Sequence, residues 1–129
     1  MPELPTISEA EWEVMEVVWT RAKVSAQEVH AALASQRSWT EGTVKTLLRR
    51  LLQKGAVRYE LEGKRYLYSA RLTRERVVRA EADSFLQRVF RGSASPMLAH
   101  FVKSTKLSPD EIKELRRLLQ EKQSEEGGR

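Results

Sequence analysis

Cysteine is absent from the sequence. That removes disulfides, thiolate metal ligands and cysteine nucleophiles together, and it suits the cytoplasm, where the chain is expected to reside. Histidine occurs only twice, as His30 and His100, on separate predicted helices and without a second ligand at metal spacing. The six glycines are scattered, and none belongs to a phosphate-cradling loop. Serines fall mostly at helix starts rather than beside a base. No apolar run approaches the length of a bilayer span, and the N-terminus lacks the basic-then-apolar pattern of a secretory signal. The expectation is a protein that is not an enzyme, holds no cofactor or metal, and does not insert into membranes.

What is present is charge, unevenly placed. Of 129 residues, 32% are charged and 40% hydrophobic, with a net charge of +5. Residues 1–36 carry two basic and six acidic side chains, residues 37–79 twelve and four, and residues 80–129 nine and eight. A basic block between an acidic start and a balanced end favours a polyanionic partner.

Apolar periodicity predicts the elements. In "ISEAEWEVMEVVW", Ser8 and Glu11 form a capping box and Ile7 with Trp12 a hydrophobic staple. Trp12, Met15, Val18 and Trp19 mark the inner face, and the glutamates of the first turns sit where the helix dipole tolerates anions. A second helix repeats the device with Ser25 and Glu28 and turns Val29, Ala32 and Leu33 inward. The third, "WTEGTVKTLLRRLLQKG", is capped by Thr40 and stopped by Gly55. Its aliphatic stripe is Val44, Leu47, Leu48, Leu51 and Leu52; opposite lie Gly42, Lys45, Thr46, Arg49 and Gln53, flanked by Thr43 and Arg50. The period then falls to two. "VRYEL" and "RYLYS", joined at Gly63, predict a β-hairpin with Lys64 and Arg65 at its tip. A long helix starting after Thr73 and running to about Arg91 follows, with Val78, Ala82, Phe85, Leu86, Val89 and Phe90 as its stripe. Ser95 and Pro96 are expected to cap and open a short helix bearing Met97, Leu98, Phe101 and Val102. Ser108, Pro109 and Glu111 open the last helix, with Ile112, Leu115, Leu118 and Leu119 on one side and a frayed "KQSEEGGR" tail. His30 is expected on a helix surface and His100 beside the apolar residues of the second half.

Three helices followed by a hairpin is the order of a winged helix-turn-helix domain. The fold class is therefore mainly α: a winged-helix DNA-binding domain over residues 1–72, then a helical dimerisation domain over 73–129. The third helix is anchored by its aliphatic side and leaves Thr43, Lys45, Thr46 and Arg49 free for phosphates or base edges. Gly42, near the helix start, permits close backbone approach, and the free N–H groups there suit a phosphate. The rival reading is a winged-helix protein-interaction module that never reads DNA; a pocket for a small ligand between the domains is neither supported nor opposed. About fifty residues after the wing cannot easily close a separate core. Their stripes must bury against the first domain or against a second copy, and two-fold operators favour the second copy. The candidate dimer interface is Phe85, Leu86, Val89, Phe90, Leu98, Phe101, Val102, Ile112, Leu115, Leu118 and Leu119.

Together, "SEAEWEVMEVVW", "GTVKTLLRRLLQKG" and "HFVKSTKLSPDEIKELRRLL" resemble the BlaI/MecI repressor family, with the copper-responsive CopY repressors as relatives. The likeness runs from about Leu4 to about Leu119. It implies a homodimeric transcriptional repressor on a double-stranded, inverted-repeat operator, often with a TACA/TGTA core. It assigns DNA contact to Gly42, Thr43, Lys45, Thr46, Arg49 and Arg50, places Lys64 and Arg65 in the wing, and puts Arg37 and Trp39 against the backbone. The cysteine cluster of the CopY branch is missing, which excludes a copper-thiolate switch. In the BlaI/MecI branch a membrane sensor protease pathway leads to cleavage at an Asn–Phe bond. Here His100 precedes Phe101, so His100–Phe101 is the candidate cleavage site, with the first residue of the pair changed.

Overall fold

The computed structural model describes residues 4–127. The element order is α1 (Glu9–Thr20), α2 (Ala26–Leu33), α3 (Glu41–Gln53), β1 (Val57–Glu62), β2 (Arg65–Ala70), α4 (Arg74–Phe90), α5 (Ala94–Ser104) and α6 (Pro109–Gly127). The chain divides into two compact units between Ala82 and Asp83.

In the first unit each helix starts where a side chain satisfies an orphan N–H. The Ser8 hydroxyl accepts from the Glu11 N–H at 3.1 Å, and the Glu11 carboxylate accepts from the Ser8 N–H at 2.8 Å. Ser25 and Glu28 repeat the exchange for α2. The Thr40 hydroxyl accepts from the Thr43 N–H at 3.1 Å and opens α3. Gly55 closes α3 at φ 76°. The Ala56 and Gly55 N–H groups return to the carbonyls of Leu51 and Leu52, a Schellman ending that few residues other than glycine tolerate.

The core is built from Val14, Met15 and Val18 of α1, Val29 and Leu33 of α2, Val44, Leu47, Leu48 and Leu51 of α3, and Val57 of β1. Burying each such aliphatic side chain is worth about 1.5–3 kcal/mol, so α3 is held firmly by its inner stripe. Trp12 and Trp19, expected on the inner face, sit half-buried at its rim, and Val14 takes the interior position. Their indole N–H groups explain the place, because each needs an acceptor. Trp12 donates to Glu16 and Trp19 to the Leu72 carbonyl, both at 2.9 Å.

Glu11 takes its expected place in the capping box, and it is also buried, at 1% exposed. Its carboxylate accepts from Lys54 Nζ at 2.5 Å, and that ammonium also donates to the Thr6 carbonyl at 2.7 Å. The pair ties the end of α3 to the start of α1.

The hairpin is antiparallel, in a register from Val57 opposite Ala70 to Glu62 opposite Arg65. Gly63 and Lys64 form its two-residue loop. Gly63 stands at φ 65°, at the loop position where a turn of this length favours glycine. Val24 adds a bridge to Tyr68 through bonds of 3.0 and 2.7 Å, seating the hairpin base on the α1–α2 connection. Three helices and this wing make the winged helix-turn-helix arrangement.

Val77, 3% exposed, anchors the start of α4 in the first core, while Val78, expected in the stripe, points outward at 37%. Thr73 caps this helix through the Arg76 N–H. The N-cap of α5 is Ser93 rather than the expected Ser95, and its side chain makes no capping bond. Pro96 lies in the first turn, where a missing N–H costs no helical hydrogen bond. Ser108 and Glu111 exchange hydrogen bonds of 3.0 and 3.1 Å at the start of α6. The tail expected to fray is helical to Gly127. Arg117 pairs with Glu114 and Glu121, and Lys122 with Glu126, along its outer side. Among the described residues no helix is long and apolar enough to cross a membrane.

Candidate nucleic-acid interface

The stripe of α3 sorts the helix as its periodicity requires. Val44, Leu47, Leu48 and Leu51 are buried, Leu52 is half-buried, and Gly42, Thr43, Lys45, Thr46, Arg49 and Arg50 are exposed. The two threonines are occupied within the helix. The Thr43 hydroxyl lies 3.1 Å from that of Thr40, and the Thr46 hydroxyl donates to the Gly42 carbonyl at 3.1 Å. Lys45 meets Glu41 only at 3.5 Å, with both side chains exposed, a contact of small worth. Among the described residues Arg49 and Arg50 form no ion pair. The outward face therefore offers uncommitted cations, not a closed network.

Arg49 and Lys45 share a cleft of about 520 Å³ with the wing. Ser25, Ala26 and Gln27 form its α2 side, and Lys64 and Arg65 stand at the wing tip. The tip cations differ. Among the described residues Lys64 makes no ion pair, whereas Arg65 lies 3.8 Å from the Glu28 carboxylate. Gly42 stands outside the cleft lining, and a Cβ there would meet only the Thr40 hydroxyl, at an ordinary 3.6 Å. Arg50 also lies outside the cleft.

Arg37 and Trp39, ahead of α3, are tied to the body. The Arg37 guanidinium lies 2.5 Å from Glu13 and 3.9 Å from Glu9, and stacks 5.2 Å from the centre of the Trp39 ring. His30, expected on the surface, is half-buried and donates from Nε2 to the Trp39 carbonyl at 2.8 Å. These contacts fix the approach to the Thr40 cap and so the angle at which α3 leaves the turn.

The three aromatic residues of the cleft were not singled out by sequence reasoning: Tyr59, Tyr66 and Tyr68. Tyr59 and Tyr66 meet edge to face at 5.0 Å, and Tyr59 lies 6.4 Å from Tyr68. Burial, reinforced by the two neighbouring tyrosines and opposed by Arg49, raises the Tyr68 phenol above its usual value. The signal lay in the strand period. Alternation across this register puts Val57, Tyr59, Leu61, Tyr66, Tyr68 and Ala70 on one face.

In the second unit, among the described residues from Asp83 onward, none is buried. Val89, Leu98, Phe101, Val102, Ile112, Leu115, Leu118 and Leu119 are between 40% and 61% exposed. Phe85, Leu86 and Phe90 are half-buried; Phe85 packs 5.8 Å from Phe90 and 6.0 Å from Phe101. His100 is exposed beside Phe90 and Phe101.

Comparison with known proteins agrees with this architecture. The penicillinase repressor family model matches residues 7–121. The penicillinase repressor of Bacillus licheniformis is 34% identical over 121 residues, covering 94% of each chain. The methicillin resistance regulatory protein MecI of Staphylococcus aureus strain N315 is 32% identical over 116 residues, covering 90% of this chain and 94% of that one. Among solved structures, the DNA-binding domain of the repressor BlaI superposes with a TM-score of 0.51 at 35% identity, over 57% of this chain and 90% of that one. The monomeric form of Bacillus licheniformis BlaI bound to the blaP half-operator gives 0.50 at 35% identity, over 58% and 92%. With nearly its whole length matched and its winged fold shared, the chain belongs to the penicillinase repressor family.

Proposed function

We propose that two copies of this chain occupy the two halves of an inverted-repeat operator, joined through their C-terminal helices. The protein is a DNA-binding transcriptional repressor, as its family is. The observation that carries the finer reading is the exposed pair Lys45 and Arg49 on α3, with Lys45 held only by a weak contact to Glu41 and Arg49 without an ion pair among the described residues, flanked by Lys64 of the wing in one cleft. BlaI meets a half-operator as a monomer, and one such module per half-site gives the two-fold arrangement that an inverted repeat requires. Thr43, Thr46, Arg50 and Arg65 are assigned supporting contacts, and Arg37 with Trp39 orients the helix from behind.

The exposed aliphatic and aromatic residues of α4, α5 and α6 support self-association, since a monomeric protein seldom leaves so large an apolar set in water. Relief by proteolysis belongs to the same reading. The His100–Phe101 bond lies inside α5, so a protease reaches it only after local unwinding. The pathway starts from a membrane sensor.

The test is a salt titration of binding to duplex DNA, followed by fluorescence anisotropy. Counterion release makes log affinity fall linearly with log salt. Arg49→Ala is expected to weaken binding by about 1–3 kcal/mol, while Lys45→Ala, which takes one cation away from the phosphates, lowers the slope by about one. Negligible binding to any duplex at low salt would instead favour the protein-interaction module.

A further inference from the structure

The wing is polarised between its two faces. Glu60 and Glu62 both alternate onto one face, where Glu60 pairs with Lys23 from the α1–α2 connection. The other face carries no carboxylate. It begins buried at Val57, 1% exposed, and emerges toward the tip, with Tyr59 at 49%, Leu61 at 60% and Tyr66 at 49%. Tyr59 and Tyr66 line the cleft that holds Lys45 and Arg49. An aromatic pair this exposed is not explained by the core, because the core cluster ends at the half-buried Tyr68.

We propose that Tyr59 and Tyr66 grip the sugar–phosphate backbone of the bound duplex. The rings cover the apolar face of a deoxyribose, and the phenol hydroxyls donate to phosphate oxygens, a role tyrosine performs without adding charge. The occupant follows from charge complementarity. The cations around the rings draw a polyanion into the cleft: Lys45, Arg49, Lys64 and Arg65 outnumber the one carboxylate of its lining, Glu41, which faces Lys45 at 3.5 Å, and the wing's own carboxylates are held on the far face. Lys64 at the tip draws the backbone in, and the tyrosines fix its position against α3. The inference rests on the DNA-binding reading of α3 and adds two residues to it.

The experiment uses the full-length chain and a mixed-sequence duplex at low salt, with affinity measured across a salt series. The Tyr59→Phe, Tyr66→Phe double variant keeps both rings and is expected to bind about tenfold more weakly, because hydrogen bonds to charged groups are removed. Its salt slope should equal that of the parent, since no cation has been removed. Lys64→Ala should flatten the slope. Nitration of the unaltered protein by tetranitromethane gives an independent reading that no folding defect can mimic. Tyr59 and Tyr66 should react in the free chain and be protected several-fold by the duplex, as read by peptide mass spectrometry. Parent-like affinity of the double variant, or equal nitration with and without DNA, overturns the proposal. If Arg49→Ala still weakens binding in that case, the α3 reading stands and only the tyrosines are dismissed. If Arg49→Ala is also without effect, the DNA reading itself fails.

Discussion

The two units of the chain treat the same kind of residue in opposite ways. Up to Val77, the aliphatic side chains of the helices turn mostly inward: Val14, Val29, Val44, Leu48 and Leu51 are fully covered. From Asp83 onward, Leu98, Phe101, Leu115 and Leu118 remain 40–49% exposed. The helices are equally regular, so the difference lies in geometry. Three helices of the first unit cross and close on each other beneath a hairpin. Three later helices supply apolar stripes without enough chain to bury them. A region that closes its own core and a region that leaves its apolar stripes in solvent can be told apart by burial alone, and the proposed dimer assigns the second to self-association.

The largest expected effect tests the closed half. Leu48→Ala should cost about 2–5 kcal/mol by leaving a cavity in a dry core, measured by urea denaturation. Leu118→Ala, made in a monomeric background, should change stability by no more than about 0.5 kcal/mol. Equal losses at the two positions would erase the contrast.

A smaller but sharper effect concerns association. Leu115→Glu with Leu118→Glu should convert a dimer to monomers, read by sedimentation velocity, with a loss of about 2 kcal/mol or more in association. The helicity of the chain should be unchanged. A dimer that survives both charges moves the interface off α6.

The smallest effect is a pH dependence in the closed half. Burial alone would raise the Glu11 carboxyl. The hydrogen bond from Lys54, together with those from the Ser8 backbone and hydroxyl, outweighs it and holds the group below its ordinary value of 4.5. A depressed carboxyl contributes stability that is complete above that ordinary value and is lost as pH falls through the folded one. Glu11→Gln should therefore be less stable than the parent at neutral pH, by about 1–3 kcal/mol. The gap between their melting temperatures should narrow only in acid. A gap independent of pH would mean that Glu11 acts by shape and capping rather than by charge.

Much of the closed half was legible before any coordinates. Capping boxes at Ser8 and Ser25, the stripe of α3 and the Gly63 turn are local signals, written within a few residues of where they act. The outward placement of Lys45 and Arg49 follows from the same periodicity. Several misreadings arose where the partner lies outside the helix concerned. Nothing near Glu11 announces Lys54, nothing near His30 announces the Trp39 carbonyl, and Val77 and Val78 are equally apolar neighbours. The tyrosines of the wing were visible as alternation, yet their meeting with Lys45 and Arg49 required the hairpin to fold over α3.

What the amino-acid order determined alone was the set of elements, their polarity and the charge they carry, because helix and strand periods are properties of adjacent residues. Only the tertiary structure decided which carboxylate is buried, which cations stay uncommitted, and that two tyrosines share a cleft with α3. Those outcomes depend on through-space distances between distant segments, and desolvation and pairing energies are set by such distances.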